Sequence, residues 1–116
     1  MAEAFLNKLS KNWRAVSAGI NPDEEIHPLT LEVMREIGVD VSKQKPKKAT
    51  LKMIREADKI VVMGVGTDFI PERYLHKVEK WEIEEPYRKP IVKIREIRDQ
   101  IREKVEELIC KIEPLF

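Results

Sequence analysis

The sequence has very little cysteine, and this scarcity excludes several kinds of site. Its single cysteine, Cys110, cannot form an intramolecular disulfide or a cysteine-rich zinc site, and it agrees with a reducing compartment. The two histidines have no spaced carboxylates or thiols beside them, so no metal signature is present. We therefore expect neither a metal nor another cofactor.

Long apolar runs are also lacking. No stretch approaches the ~20 apolar residues of a membrane-spanning helix. The N-terminus does not show the basic, apolar and small-residue succession of a signal peptide. The expected location is the cytoplasm, and no membrane partner is expected.

The sequence also lacks an excess of either positive or negative charge. The 22 Lys and Arg residues nearly balance the 21 Asp and Glu residues, so the field of the whole protein selects neither nucleic acid nor an anionic membrane. Charged residues still make up 37% of the chain, and their bias towards Lys and Glu favours a thermophilic source. A length of 116 residues predicts one compact domain, residues 1–116, with room for one site.

Apolar periodicity divides the first part of the chain into two helices and a strand. Residues 1–11 carry one apolar face and predict a short amphipathic helix. Residues 13–19 alternate strand-compatible side chains and close at a glycine, so we predict a strand there. A second helix is predicted to begin at Pro28 and to stop at Gly38.

The second part of the chain predicts a solvated, lysine-rich connection and then alternating helices and strands. Thr50 is expected to cap a helix that runs through Ala57. Residues 59–63 are apolar and β-branched, which predicts a strand buried on both faces, as in parallel sheets. A further strand is predicted over residues 78–83 and a long helix over residues 91–112. This order predicts an α/β fold, a small three-layer parallel sheet flanked by helices.

Four segments form an ordered set of motifs that spans almost the whole chain. They are Met1-Ala2-Glu3-Ala4, Ser17-Ala18-Gly19, His27-Pro28 with Ile37-Gly38-Val39-Asp40, and Trp81-Glu82-Ile83-Glu84-Glu85-Pro86 with Arg95-Glu96-Ile97-Arg98-Asp99. In this order they resemble the low-molecular-weight protein tyrosine phosphatase and thioredoxin-linked arsenate reductase superfamily. The resemblance implies that superfamily's fold for the chain.

The phosphate loop of that family has no counterpart among these residues. In the family, a buried first strand leads into a loop of the form Cys, five residues, Arg, and then into a helix that often begins Met-Ala-Glu-Ala. Here the chain begins at that helix, so we expect the first strand and the loop to be missing. The resemblance implies that the loop cradles phosphate or arsenate, while the helix N-terminus lowers the thiol pKa. It therefore implies a phosphatase-like protein that is catalytically inactive as this chain.

The resemblance also places a general acid at Glu85. The family normally has Asp followed by Pro on a late loop, and this acid protonates the leaving oxygen and then activates water. Glu85-Pro86 occupies that position. A glutamate is one methylene longer, and a wrong reach of about 1 Å costs ~100-fold in rate. The alternative, that Glu85 is a solvated loop carboxylate, stays open.

The reductase branch of the superfamily carries further cysteines after its third strand to relay a disulfide. This chain has Gly64-Val65-Gly66-Thr67-Asp68 there, without a thiol, so an arsenate relay is not expected and phosphatase chemistry is favoured. A phosphate, another oxyanion or a phosphoprotein is expected as a ligand only if the loop were present. The sequence leaves open whether the chain is an enzyme.

Several conspicuous residues have simpler structural interpretations. Cys110 lies among apolar residues of the predicted long helix and is interpreted as a packed structural thiol. His27 is interpreted as a surface or turn residue, and Trp13 and Trp81 as core residues. Gly64-Val65-Gly66 opens no capped helix, so we discount a dinucleotide-binding loop.

The sequence is compatible with three functions. The first is the phosphatase-like protein, with Met1 as an internal methionine of a longer enzyme. The second is a non-catalytic oligomeric binding or regulatory domain, because a sheet without its first strand is expected to pair between subunits as a homo-oligomer. A weaker third is a nucleic-acid-binding protein that uses the lysines at positions 43, 45, 47, 48 and 52. These lysines lack interleaved aromatic residues, which favours a solvated loop.

Overall fold

The computed structural model describes residues 1–19, 28–44, 47–63, 67–84 and 89–112. It contains four α-helices, a 3-10 helix and two strands within those ranges. In chain order they are α1 (Ala2–Leu9), α2 (Pro28–Arg35), α3 (Leu51–Glu56), β1 (Ile60–Met63), the 3-10 helix (Glu72–Lys77), β2 (Val78–Trp81) and α4 (Ile91–Ile112). The predicted α/β class is confirmed.

Local signals explain where the helices begin and end. The side chain of Thr50 accepts a hydrogen bond from the Met53 amide at 3.2 Å, so α3 has the predicted N-cap. After α2 the chain turns at Gly38, whose φ of 79° lies in the left-handed region that favours glycine. The helix α4 has the predicted bounds because its apolar residues keep helical spacing over its whole length.

The two strands lie side by side and run in the same direction. Ile60 is opposite Val78, and Met63 is opposite Trp81. Successive side chains of β1 point to opposite faces of this sheet. Val61 and Met63 pack on one face against α1, α2 and α4. Ile60 and Val62 pack on the other face with Ile54 of α3, so helices cover both faces of the sheet.

The predicted strand over residues 13–19 is wrong. Residues 13–18 form no strand, and Gly19 makes only an isolated parallel bridge with Lys48. The backbone of Ala15 bonds instead to a side chain. Asn7 Oδ1 accepts from the Ala15 amide at 2.7 Å, and Asn7 Nδ2 donates to the Ala15 carbonyl at 3.1 Å. These two hydrogen bonds replace the ladder that a strand would need.

The expectation that β1 is buried on both faces is also wrong in part. Only Val62 is fully buried, and Ile60, Val61 and Met63 are half-buried. The reason is that the described sheet has two strands, which leaves the apolar side chains of β1 incompletely covered.

The main core lies between α4, α2 and α1. It includes Phe5 from α1 and Val33 and Met34 from α2, each at most 2% exposed. The helix α4 contributes buried residues spaced by three or four: Ile94, Ile97, Ile101, Val105 and Leu108. Trp81 is buried in this cluster and Trp13 is half-buried against it, so the core interpretation of both tryptophans is confirmed. Within the described part of the chain, no helix is both long and apolar enough to cross a membrane.

Candidate functional site

The candidate site lies where the two parallel strands reach their C-terminal ends. We call this end of the sheet its carboxyl edge. Met63 ends β1 and Trp81 ends β2 in register, so their carboxyl ends share one edge. Open α/β sheets bind ligands outside this edge. The chain continues from β2 through the buried Ile83 and the exposed Glu84. Glu85, the predicted general acid, follows directly but lies outside the described residues, as does Pro86.

Two lysines hold the carboxylate that precedes Glu85. Glu84 Oε2 is 3.6 Å from Lys89 Nζ, and Glu84 Oε1 is 3.4 Å from Lys93 Nζ at the start of α4. The carboxylates of Glu84 and then Glu96 raise the pKa of Lys93 above its usual value. All these groups are at least one-third exposed to solvent, which screens their charges, so the pairs add little to stability. They nevertheless join the chain before residues 85–88 to the chain after them.

Ion pairs also give the direction of α4 relative to β2. Lys93, near the start of α4, pairs with Glu84 just beyond the end of β2. Lys111, near the end of α4, pairs with Glu79 near the start of β2 at 3.3 Å. The helix therefore runs antiparallel to the strand. Its C-terminal end, which carries Cys110, lies away from the carboxyl edge of the sheet.

Cys110 corrects a sequence-based interpretation, because its thiol is exposed rather than packed. The buried positions of α4 end with Leu108, and a residue two places further is rotated by about 200° around a helix. That rotation turns Cys110 away from the core. From Lys93 to Cys110 is also roughly 25 Å along the helix axis, at ~1.5 Å per residue.

An arginine on the core-facing side of α4 fixes the position of α2. Arg98 is 8% exposed, and its Nη1 donates to the Val33 carbonyl and to Glu36 Oε1, both at 2.8 Å. Its Nε donates to Asp99 at 2.9 Å. Arg95 donates to the same Glu36 carboxylate from Nη2 at 2.6 Å and from Nε at 3.0 Å.

The same contacts set the charge states of this cluster. Hydrogen bonds from Arg95, followed by those from Arg98, hold the pKa of Glu36 below its usual range. The sequence interpretation missed this cluster. The available signal was a charged residue at position 98, four residues after Ile94 and three before Ile101, on the apolar face of the helix. A buried arginine there requires partners.

Two of the sequence motifs meet in space. Ser17 Oγ, from the Ser17-Ala18-Gly19 motif, donates to Glu3 Oε2, from the first turn of α1, at 2.8 Å. Gly19 then bonds to the lysine-rich connection, donating to the Lys47 carbonyl at 2.8 Å and accepting from the Ala49 amide at 2.9 Å. Gly19 therefore lies beside the residues that lead into α3.

The remaining candidate residues that the structure describes do not assemble into a second site. Lys43, Lys47, Lys48 and Lys52 are exposed, as expected for a solvated connection. Lys45, His27 and Gly64-Val65-Gly66 lie outside the described residues. In the described ranges, no three His, Cys, Asp or Glu side chains are grouped so that they could hold a metal ion.

Comparisons with known proteins extend these findings. The sequence model of the family described as low molecular weight phosphotyrosine protein phosphatase matches residues 1–114. A glutaredoxin arsenate reductase of Synechocystis sp. is 30% identical over 114 residues, covering 97% of this chain and 87% of that protein. A probable low molecular weight protein-tyrosine-phosphatase, EpsP, of Ralstonia nicotianae is 28% identical over 127 residues, covering 99% of this chain and 88% of that protein.

A solved structure gives the fold independently. Vibrio vulnificus Wzb in complex with benzylphosphonate superposes with a TM-score of 0.85 at 24% identity, covering 95% of this chain and 87% of that one. The fold expected from the motifs is therefore confirmed, and so is the resemblance itself. The chain belongs to the low molecular weight phosphotyrosine protein phosphatase family.

Proposed function

We propose that this chain is a phosphatase-like protein of its family that has no phosphoester turnover of its own. The observation that carries the proposal is the position of its only thiol. Cys110 is exposed on α4, near the helix end that pairs with the start of β2. A nucleophile and a general acid must reach the same phosphoryl group. Cys110 and the carboxyl edge of the sheet lie too far apart for this.

The sequence around Cys110 supports the same conclusion. A phosphate loop of this family needs an arginine six residues after the cysteine, and position 116 of this chain is Phe116. The cysteine also lies inside the last turns of α4, so the backbone amides around it are bonded within the helix rather than arranged to cradle an anion.

We assign the general-acid position to Glu85. Its support is the location of the preceding residues, since β2, Ile83 and Glu84 lead the chain to the carboxyl edge. The ion pairs of Glu84 with Lys89 and Lys93 join the described residues on either side of positions 85–88. A carboxylic acid in this position would protonate a leaving oxygen once a phosphoryl group was bound.

Phosphoester chemistry is favoured over arsenate reduction for this scaffold. Arsenate reduction of the thioredoxin-linked type needs thiols that can pass a disulfide along. The segment Gly64-Val65-Gly66-Thr67-Asp68 that directly follows β1 contains none, and the one thiol of the chain lies at the far end of α4. We therefore assign a phosphoester or phosphoprotein as the ligand class of a complete site.

The test is hydrolysis of an aryl phosphate by the purified chain. Turnover is expected to equal that of buffer, and the variants Cys110→Ser and Glu85→Ala are expected to behave like the unaltered chain. Activity well above buffer that disappears in Cys110→Ser would show that the thiol is a nucleophile and would overturn the proposal.

A second experiment tests whether the fold supports catalysis when a phosphate loop is added. The chain is extended before Met1 by a strand and a loop of the form Cys, five residues, Arg, followed by Ser. Aryl phosphate hydrolysis is expected to appear, and Glu85→Gln in the extended chain is expected to lower it by roughly 10²- to 10⁴-fold, as for loss of a general acid. No thioredoxin-coupled arsenate reduction is expected, and its appearance would contradict the assignment.

A second candidate function is a non-catalytic oligomeric binding or regulatory domain. The observation in its favour is that, among the described residues, β1 pairs only with β2, so its other edge has no strand beside it. The two candidates differ in the coding sequence before Met1. The first expects in-frame codons there for an apolar strand and a Cys, five residues, Arg loop. The second expects a native protein of the mass of this chain, 13.6 kDa per subunit.

A further inference from the structure

Two cations lie against the ring of Tyr74 in the 3-10 helix Glu72–Lys77. The guanidinium carbon of Arg73 and the ammonium nitrogen of Lys77 each lie 4.9 Å from the ring centroid. Both distances are within the range of a cation–π contact. The ring itself packs beside the smaller apolar cluster formed by Ile54, Val62 and Ile70. One side of Tyr74 is therefore anchored in the fold, while the residue stays partly exposed.

The backbone of α3 holds Lys77 in this position. Lys77 Nζ donates to the Ala57 carbonyl at 2.7 Å and to the Arg55 carbonyl at 3.0 Å. These are carbonyls at the C-terminal end of α3, which carry the negative end of the helix dipole. An ammonium group has three donors, so one N–H of Lys77 remains after these two bonds. The positive charge of Arg55, whose backbone carbonyl accepts one of these bonds, also acts on the Tyr74 hydroxyl.

The positive charge of this cluster is not balanced by ion pairs in the described ranges. Arg55, Arg73 and Lys77 make no salt bridge there, whereas Arg95, Arg98 and Lys93 of α4 all do. The Arg73 guanidinium, followed by the charges of Arg55 and Lys77, holds the pKa of Tyr74 below its usual value. The charges acting on the hydroxyl are therefore positive.

Carboxylates near these cations would repel a bound anion. Glu56, Asp58 and Glu72 are the acidic neighbours in sequence, and all three are exposed. None of them forms an ion pair with the three cations. Exposed charges at longer range are screened by salt, so direct contacts decide whether an anion binds.

The cluster lies at the opposite edge of the sheet from Glu84, which precedes the predicted general acid. The 3-10 helix leads directly into β2, and α3 leads into β1. Both therefore lie at the amino ends of the parallel strands, whereas Glu84 lies beyond their carboxyl ends. Four-residue strands separate the two edges by about 13 Å. A ligand at Tyr74 is thus distinct from one at the carboxyl edge.

We propose that Arg55, Arg73, Tyr74 and Lys77 form a second oxyanion site that binds a phosphoryl group. Guanidinium, ammonium and hydroxyl groups are the donors that proteins use for phosphate. The Tyr74 hydroxyl donates to a phosphoryl oxygen, Arg73 and Arg55 supply charge-assisted hydrogen bonds, and the third N–H of Lys77 completes the set. The group can come from inorganic phosphate or from an aryl phosphate such as a phosphotyrosine side chain. This proposal does not depend on turnover at the carboxyl edge.

The first experiment follows backbone amide resonances of the 3-10 helix while inorganic phosphate is added, with chloride at matched ionic strength as the reference. Saturable shifts confined to residues 55–57 and 72–77 are expected with phosphate and not with chloride. Arg73→Gln is expected to weaken the affinity about 10-fold, the loss that corresponds to one charge-assisted hydrogen bond. The matched control is Arg102→Gln, which removes one exposed arginine from the distant face of α4 and should leave the affinity unchanged.

A second arm uses phenyl phosphate as the probe and separates the two sources. Tighter binding of phenyl phosphate than of phosphate assigns the site to a phosphorylated side chain, and equal binding assigns it to the free anion. Absorbance titration of the phenol in a Tyr87→Phe background, which leaves Tyr74 as the only tyrosine, should show its pKa rise when phosphate is bound. Equal affinity in Arg73→Gln and the unaltered chain, or no saturable shift with either probe, would overturn the proposal.

Discussion

At the scale of single residues, Arg98 donates a hydrogen bond to a backbone carbonyl at the end of α2 that the helix itself does not satisfy. The Val33 carbonyl lies in the last turn of α2, where helical partners run out. The amide of Ile37 bonds to Met34 rather than to Val33. Arg98 reaches across from α4 and donates to Val33 at 2.8 Å, so it caps α2 from a neighbouring helix. The same guanidinium pairs with Glu36, which places this buried charge against a counter-charge.

We expect Arg98→Ala to destabilise the fold by about 1 to 3 kcal/mol, because the buried Val33 carbonyl loses its donor. The measurement is urea unfolding followed by circular dichroism. Arg95→Ala is the matched control, since Arg95 bonds to the same Glu36 but is 41% exposed. Because an exposed ion pair adds little stability, Arg95→Ala should unfold at nearly the same urea concentration as the unaltered chain. Equal costs for the two variants would show that the contact with Val33 carries no stability.

The Glu36 carboxylate makes the fold sensitive to acid. Its pKa is lower in the folded protein than in the unfolded chain, mainly because of Arg95 and then Arg98. Such a group contributes stability above the unfolded pKa, which is about 4.3 for glutamate, and this contribution is lost as the pH falls through the folded value. Glu36→Gln should therefore unfold at lower urea at neutral pH and show a smaller loss of stability on acidification. An unchanged pH dependence would contradict this assignment.

At the scale of elements, Asn7 decides the conformation of the segment after α1. Its amide side chain makes both hydrogen bonds to Ala15 that a neighbouring strand would otherwise make. Ser10 Oγ accepts from the Trp13 amide at 2.9 Å, which turns the chain directly after α1. The segment is thus attached to the helix that precedes it rather than to the sheet.

We expect Asn7→Ala to destabilise the fold by about 1 to 3 kcal/mol and to expose the Ala15 amide to hydrogen exchange, because that amide loses its acceptor. Asn7→Asp is the matched variant. It keeps an acceptor for the Ala15 amide but loses the donor to the Ala15 carbonyl, so the amide should stay protected. If both variants exchange like the unaltered chain, the Asn7 hydrogen bonds do not hold this segment.

These examples show which features local sequence can predict. The cap at Thr50, the turn at Gly38 and the bounds of α4 each follow from a residue and its near neighbours. The strand over residues 13–19 was wrong because a strand needs a partner that the alternation of side chains does not specify. Cys110 is exposed because of its angular position around α4. Its apolar neighbours in the sequence suggested a buried position instead.

The candidate site was predictable to a smaller extent. The motif around Glu85 located the edge of the sheet, because the residues before it follow β2. The ion pair of Glu84 with Lys93 and the hydrogen bonds of Lys77 to the end of α3 join residues that are distant in sequence, so local patterns could not predict them. Whether Glu85 acts as the acid stays a prediction.

At the scale of the whole molecule, one side of strand β1 is open to pairing with another chain in the part of the structure that is described. Among the described residues, β1 pairs with β2 alone, and residues 13–18 do not join it. A two-stranded sheet is marginal on its own. Ile60, Val61 and Met63 are apolar yet only half-buried, although parallel strands are normally covered on both faces. An unpaired apolar strand edge is a template for pairing with another chain.

We therefore expect a homo-oligomer in solution, most simply a dimer in which the β1 edges of two subunits pair about a two-fold axis. Each buried backbone group left without a partner costs about 1 to 3 kcal/mol, and pairing between subunits removes that cost without moving the helices that cover the sheet. Light scattering at micromolar concentration should give a mass above the 13.6 kDa of one chain, and it should fall on dilution. The exposed Cys110 could link two chains by a disulfide, so the measurement is made with reductant and repeated with Cys110→Ser, which should associate equally. A sharp mass of one chain with cooperative unfolding would mean that the edge is covered within the subunit.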